Sequence, residues 1–174
     1  MKKINQNILF ASLFLIVFII INSGCSDSTK PIKHLTLSID NPEDSIYTNE
    51  TVNFKVKIQD ATQLYAFHLE IGYDSTKFDI PQDHITIGSF WFQHNYLWDY
   101  YQYDEKFSVA LFLFEESGIS GDGTLFEFQM KGIEQGITEI EILNNSSLYL
   151  IDKNGELIEE FDNLTIKNTN LLIK

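Results

Sequence analysis

From His34 onward, apolar and polar positions alternate with a period of two. Leu35, Leu37 and Ile39 alternate with Thr36 and Ser38, and Val52, Phe54, Val56 and Ile58 alternate with Asn53, Lys55 and Lys57. Alternation of this kind puts one side of an extended chain in a core and the other in water, and so predicts half-buried strands. Tyr65, Phe67, Leu69, Ile71 and Tyr73 repeat the pattern, with Ala66, His68, Glu70 and Gly72 opposite. Phe107, Val109, Leu111 and Leu113 do so again, but Ala110, Phe112 and Phe114 make that segment apolar on both faces. Phe126, Phe128 and Met130, then Ile140 and Ile142, alternate with acids and amides. Leu148 and Leu150, the turn Asp152-Lys153-Asn154-Gly155, and Leu157-Ile158 read as a hairpin, because Asn-Gly suits a turn with positive φ. Leu164, Ile166 and Leu171 to Ile173 close the chain. No segment after Lys33 sustains a 3.6-residue apolar stripe. Many short strands at close spacing predict an all-β fold, a sandwich or jelly roll.

The first 33 residues break this pattern. Lys2 and Lys3 precede an almost wholly apolar run from Ile8 to Ile21, which ends in the small and polar Asn22-Ser23-Gly24-Cys25. A basic start, a short apolar stretch and small residues predict a secretory signal over residues 1–24, too short for an ordinary membrane span of about 20 residues. Cys25 is the only cysteine of the chain, so neither an internal disulfide nor a thiolate metal cluster is available to it. Its setting resembles the lipobox of bacterial lipoproteins, which implies lipidation at Cys25 and anchoring of the exported protein in the cell envelope. An uncleaved signal-anchor helix with an incidental cysteine is the alternative. Residues 25–33, polar and containing Pro31, read as a flexible tether, and residues 34–174 as the folded domain.

Among 174 residues, 25 acids face 12 Lys and Arg, for a formal charge of −13. Such a surface repels phosphate backbones and anionic headgroups, which excludes nucleic acid as the natural partner. Phe90 to Tyr103 holds both tryptophans and four of the eight tyrosines. Three readings stay open for this stretch: core packing, a protein-binding patch, or a polysaccharide platform built from Trp91, Trp98, Tyr100, Tyr101 and Tyr103. Tyr100 and Tyr101 are neighbours and, in a strand, face opposite ways. Catalysis finds little footing. The histidines (His34, His68, His84, His94) show no metal-ligand spacing, and acid pairs such as Glu115-Glu116 point apart on a strand. Neither a metal nor a cofactor is expected.

Several segments, in order, are similar to a cohesin domain, the receptor module that binds dockerins in cellulosomes. Gln63 to Asp74 (Gln-Leu-Tyr-Ala-Phe-His-Leu-Glu-Ile-Gly-Tyr-Asp) resembles the family's strand ending in Tyr-Asp, and Ile87-Gly88-Ser89-Phe90 its following glycine step. Leu111 to Gly118, the turn Ser120-Gly121-Asp122-Gly123, and Leu125 to Lys131 resemble the next two strands and their turn; Ile140 to Ile158 resembles the closing hairpin. The resemblance spans about residues 34–167 and implies a nine-stranded antiparallel jelly-roll sandwich related to cellulose-binding modules. It also implies a protein partner, dockerin-like, on one flat sheet face that includes Ala66, His68 and Glu70 together with Glu115, Glu116, Ser117 and Gly118. Read from the residues alone, those positions are equally an ordinary solvated strand face.

Overall fold

The computed structural model describes residues 34–81, 84–151, 155–160 and 164–174, with backbone alone for 157–160. The expected signal segment, Cys25, the tether and turn residues 152–154 lie outside the described residues. All described residues belong to one compact unit.

The strands in chain order are β1 (Thr36–Asp40), β2 (Ser45–Ile46), β3 (Thr51–Gly72), β4 (Phe78–Asp79), β5 (Ile85–Ile87), β6 (Tyr96–Gln102) and β7 (Lys106–Leu113). They continue with β8 (Ile119–Gly132), β9 (Gly136–Ile142), β10 (Ser147–Ile151), β11 (Leu157–Glu160), β12 (Thr165–Lys167) and β13 (Thr169–Ile173). A short 3-10 turn, Ser89–Trp91, stands between β5 and β6. The sequence alternation reappears as burial. In β3, Val52, Phe54, Val56 and Ile58 are buried while Asn53, Lys55 and Lys57 reach water.

The pairings fold into two layers. In one, β1 pairs with β12 and with the first half of β3, which pairs in turn with β8; β4 and β5 complete the far edge of β8. In the other, β11, β10, the second half of β3, β7 and β6 lie side by side. Near the end of β3, β9 takes over from β10 and carries β13 and β2.

Strand β3 therefore belongs to both layers, and its middle is a corner. The register against β8 shifts three times between Val56 and Leu64, and Asp60 and Gln63 adopt φ of 58° and 54°. Extra residues in one strand of a pair bend it and increase its twist, which is how a strand crosses between layers. Strand β8 supplies the side chains that hold the bend. Asp122 Oδ1 accepts the Asp60 N–H at 2.6 Å, and Ser120 Oγ accepts the Gln63 N–H at 2.9 Å.

Rings join the layers. Phe128 stacks on Phe54 within its own layer at 5.2 Å and meets Phe107 of the other edge-on at 5.0 Å; Phe126 stacks on Phe67 at 5.9 Å. Burial of such rings dominates core energetics.

One expectation needs correction and one needs a finer count. The described chain carries thirteen strands, the nine longer ones expected and four edge pieces of two or three residues, β2, β4, β5 and β12. The sandwich is also mixed rather than wholly antiparallel: β1 with β12 and β13 with β2 run parallel. Alternation reports which side of a strand is buried and carries no information on the direction of a partner more than a hundred residues away.

Candidate functional site

The outer surface of the β10–β3–β7–β6 layer holds three of the seven positions that the sequence marked for a partner, Ala66, His68 and Glu70, and the other four, residues 115–118, lie between β7 and β8. Because side chains alternate, burying Phe67, Leu69 and Ile71 turns Ala66, His68 and Glu70 outward. On β7 the same rule buries Val109, Leu111 and Leu113 and sends Ala110 and Phe112 out, with Ser108 on their side but covered. On β6 it sends out Leu97, Asp99 and Tyr101.

Register brings these residues together. Ala66 pairs with Phe112, His68 with Ala110, Leu97 with Phe112 and Asp99 with Ala110, while Tyr149 of β10 lies beside Ala66. Two alanines form a floor and larger side chains form walls, leaving a shallow groove of about 320 Å³ lined almost wholly by carbon. Leu97 is 63% exposed, Phe112 41%, Phe114 64% and Tyr101 64%. Tyr65, Phe112 and Phe114 form a chain of edge-to-face rings, at 5.0 and 5.6 Å. An apolar patch of this extent on a flat sheet is a feature of interaction surfaces.

Two of the three acids expected to bind a partner, Glu70 and Glu115, are held by groups of the domain itself. Glu70 is only 8% exposed; Lys106 Nζ donates to its Oε2 at 2.9 Å, Asn145 Nδ2 approaches at 3.5 Å, and Ser146 Oγ accepts its backbone N–H at 2.9 Å. Its carboxylate is held by neighbouring strands and turns of the domain. Glu115 pairs with His94 Nδ1 at 2.8 Å and accepts the Asn95 N–H at 3.0 Å, which ties the start of β6 to the end of β7. The His94 ring, helped by that N–H, holds the Glu115 carboxyl below its ordinary value of 4.5. Glu116 and Ser117 are exposed in the loop that follows. Gly118 is packed so closely on the Gln63 carbonyl at the β3 corner that a Cβ there would collide with it.

The aromatic stretch does not form one platform. Trp91 is fully buried, packed on Phe67 at 5.7 Å and Phe90 at 5.0 Å, so it offers no face to a sugar. Trp98 and Tyr100 stack at 6.2 Å, half-buried on the core side of β6, whereas Tyr101 and Tyr103 lie 4.9 Å apart and exposed. A strand with period two divides neighbouring rings between two faces.

Leu97, Ala110, Phe112, Phe114 and Tyr149 were not among the residues picked from sequence as partner-binding. A signal was present in Ala110, Phe112 and Phe114, which make β7 apolar on its outward side as well as its inward one.

The fold has many solved counterparts. A non-cellulosomal cohesin from the archaeon Archaeoglobus fulgidus is 19% identical with a TM-score of 0.63, covering 82% of this chain and 92% of that one. The cohesin of a type I cohesin–dockerin complex from Clostridium thermocellum is 15% identical with a TM-score of 0.64, covering 82% and 100%. The sixth cohesin of scaffoldin B from Acetivibrio cellulolyticus, solved with a Cel5 dockerin, is 18% identical with a TM-score of 0.62, covering 82% and 100%. No curated protein matches the sequence. The family model for the cohesin domain matches residues 35–166, which is most of the chain and nearly all of its described strands, so the chain belongs to the cohesin domain family.

Proposed function

We propose that this cohesin domain is a non-catalytic receptor that holds a protein partner of dockerin type at the cell envelope through the outer face of β3, β6, β7 and β10. The observation that carries the reading is the apolar groove over Ala66 and Ala110, walled by Leu97, Phe112 and Tyr149. Related cohesins have been solved with dockerins bound, which supports a protein as the occupant. Recognition here rests on burial of carbon rather than on charge, since Glu70 and Glu115 are already engaged within the domain. Each apolar anchor buried in such a patch is worth about 1.5–3 kcal/mol. The lipid expected on Cys25 and the polar tether after it supply the attachment, with several acyl chains giving stable anchoring.

Two measurements test the proposal. The full chain is titrated against a panel of dockerin modules by calorimetry, beside Leu97→Asp and Phe112→Asp variants. At least one dockerin binds, and each variant loses tenfold or more in affinity, about 1.4 kcal/mol. Failure of every dockerin, or binding indifferent to both substitutions, sinks the assignment of this face. The anchor is tested separately by labelling with a fatty-acid analogue: wild type takes up label, and Cys25→Ala does not.

A further inference from the structure

The opposite layer carries a second groove, of about 490 Å³, on the outer face of β3, β8 and β5. Its chemistry is the reverse of the apolar face. Asn53 and Lys55 of β3, Glu127 and Gln129 of β8, and His84 beside β5 line it, and Phe92 stands at one end.

Two features make the groove a built one. Its polar centre is held in place: Glu127 accepts Asn53 Nδ2 at 2.7 Å and Lys55 Nζ at 2.9 Å, so the carboxylate and ammonium neutralise each other. Lys55 accordingly keeps the Glu127 carboxyl below its ordinary value of 4.5. The backbone that carries the Phe92 ring is also fixed. Phe92 follows the 3-10 turn anchored by buried Phe90 and Trp91, and its N–H donates to the Ser89 carbonyl at 3.4 Å, yet its side chain is 69% exposed. The turn can stand close to β8 because residue 88 is glycine; a Cβ there would collide with the Thr124 carbonyl.

We infer that this groove binds a neutral saccharide, with Phe92 stacked on the apolar face of a pyranose ring and Asn53, Gln129 and Glu127 meeting its hydroxyls. Amides donate and accept, as hydroxyls do, and a carboxylate accepts from them. The compensated Lys55–Glu127 pair offers no net charge to an ion. A wholly apolar ligand would strip water from these polar groups and return no hydrogen bonds to them. Few ligands combine dense hydroxyls with an apolar face in the way a sugar does. The site is separate from the proposed partner face, so either assignment can fail alone.

The test is calorimetry of the full chain against soluble hexasaccharides: β-1,4-linked glucose, xylose and mannose, and α-1,4-linked glucose. At least one binds with a Kd below about 1 mM, equivalent to about −4 kcal/mol. Phe92→Ala, at an exposed position that the fold does not need, weakens it tenfold or more, and so does Asn53→Ala combined with Gln129→Ala. Leu97→Asp leaves it unchanged. Unchanged melting temperature in Phe92→Ala separates loss of the ring from loss of the fold. The inference is overturned if no oligosaccharide of the panel binds at about 10 mM, if binding survives both groove variants, or if Phe92→Ala instead abolishes dockerin binding.

Discussion

A carboxylate that turns outward in the sequence pattern can still be unavailable to a partner, as Glu70 demonstrates. Its Oε2 accepts from Lys106 and Asn145, and the ammonium also lies 5.2 Å from the Tyr103 ring. Replacing Glu70 with Ala strands this cation at a mostly covered position. Hydrogen bonds to charged groups contribute about 1.5–3 kcal/mol, and Lys106 retains some solvent, so a loss of about 2 kcal/mol is expected in chemical denaturation. Gly118 makes the complementary case. Its Cβ would meet the Gln63 carbonyl, so Gly118→Ala must push the β3 corner aside, at a cost of about 1–3 kcal/mol. Its exposed loop neighbour Glu116→Ala stays within about 0.5 kcal/mol. If Gly118→Ala unfolds at the wild-type denaturant midpoint, the close approach is not needed for stability. Sequence could place both residues near a partner face. It could not reveal that one is a buried anchor and the other a point of backbone contact.

Strand ends and turns depend on carboxylates held in the charged form. Asp74 accepts from the Thr76 hydroxyl and N–H in the turn before β4, Glu115 joins β6 to β7, and Glu127 links β8 to β3. Each has its pKa lowered by those partners, chiefly the Thr76 hydroxyl, the His94 ring and the Lys55 ammonium. Groups depressed in the folded state bind protons more readily when unfolded. The stability they contribute is present above their ordinary values, 3.8 for Asp74 and 4.5 for the two glutamates, and is lost as pH falls through the lowered ones. Melting temperature is therefore expected to hold down to about pH 5 and then fall, and Glu127→Gln should shallow that fall. A profile unchanged in Glu127→Gln would remove this pair from the acid response. At the same scale, the sequence marked the aromatic stretch as unusual and set Tyr100 and Tyr101 on opposite faces, but it left Trp91 open. Trp91 sits on a turn, outside the alternation of β6, and only the packing of Phe67 and Phe90 around it decides that it is core.

For the molecule as a whole, the net charge of −13 and the carbon-lined groove make different demands on a partner. If apolar burial dominates association at that groove, raising salt from about 0.1 to 1 M, which shortens the screening length from about 10 to 3 Å, should change the Kd by less than about threefold. A slope steeper than that would transfer recognition to the charged rim, Asp99 and Glu116 included. The amino-acid sequence determined the all-β class, the inward residues of nearly every strand and the family resemblance, because each rests on local alternation or on short segments in order. Tertiary structure decided the parallel pairings, the passage of β3 between layers, the burial of Trp91 and Glu70, and the assembly of Ala66, Ala110, Leu97 and Tyr149 into one groove. The physical reason is common to all four. Period-two alternation says which side of a strand avoids water, whereas a site on a sheet is made across strands, by registers between residues that lie tens of positions apart.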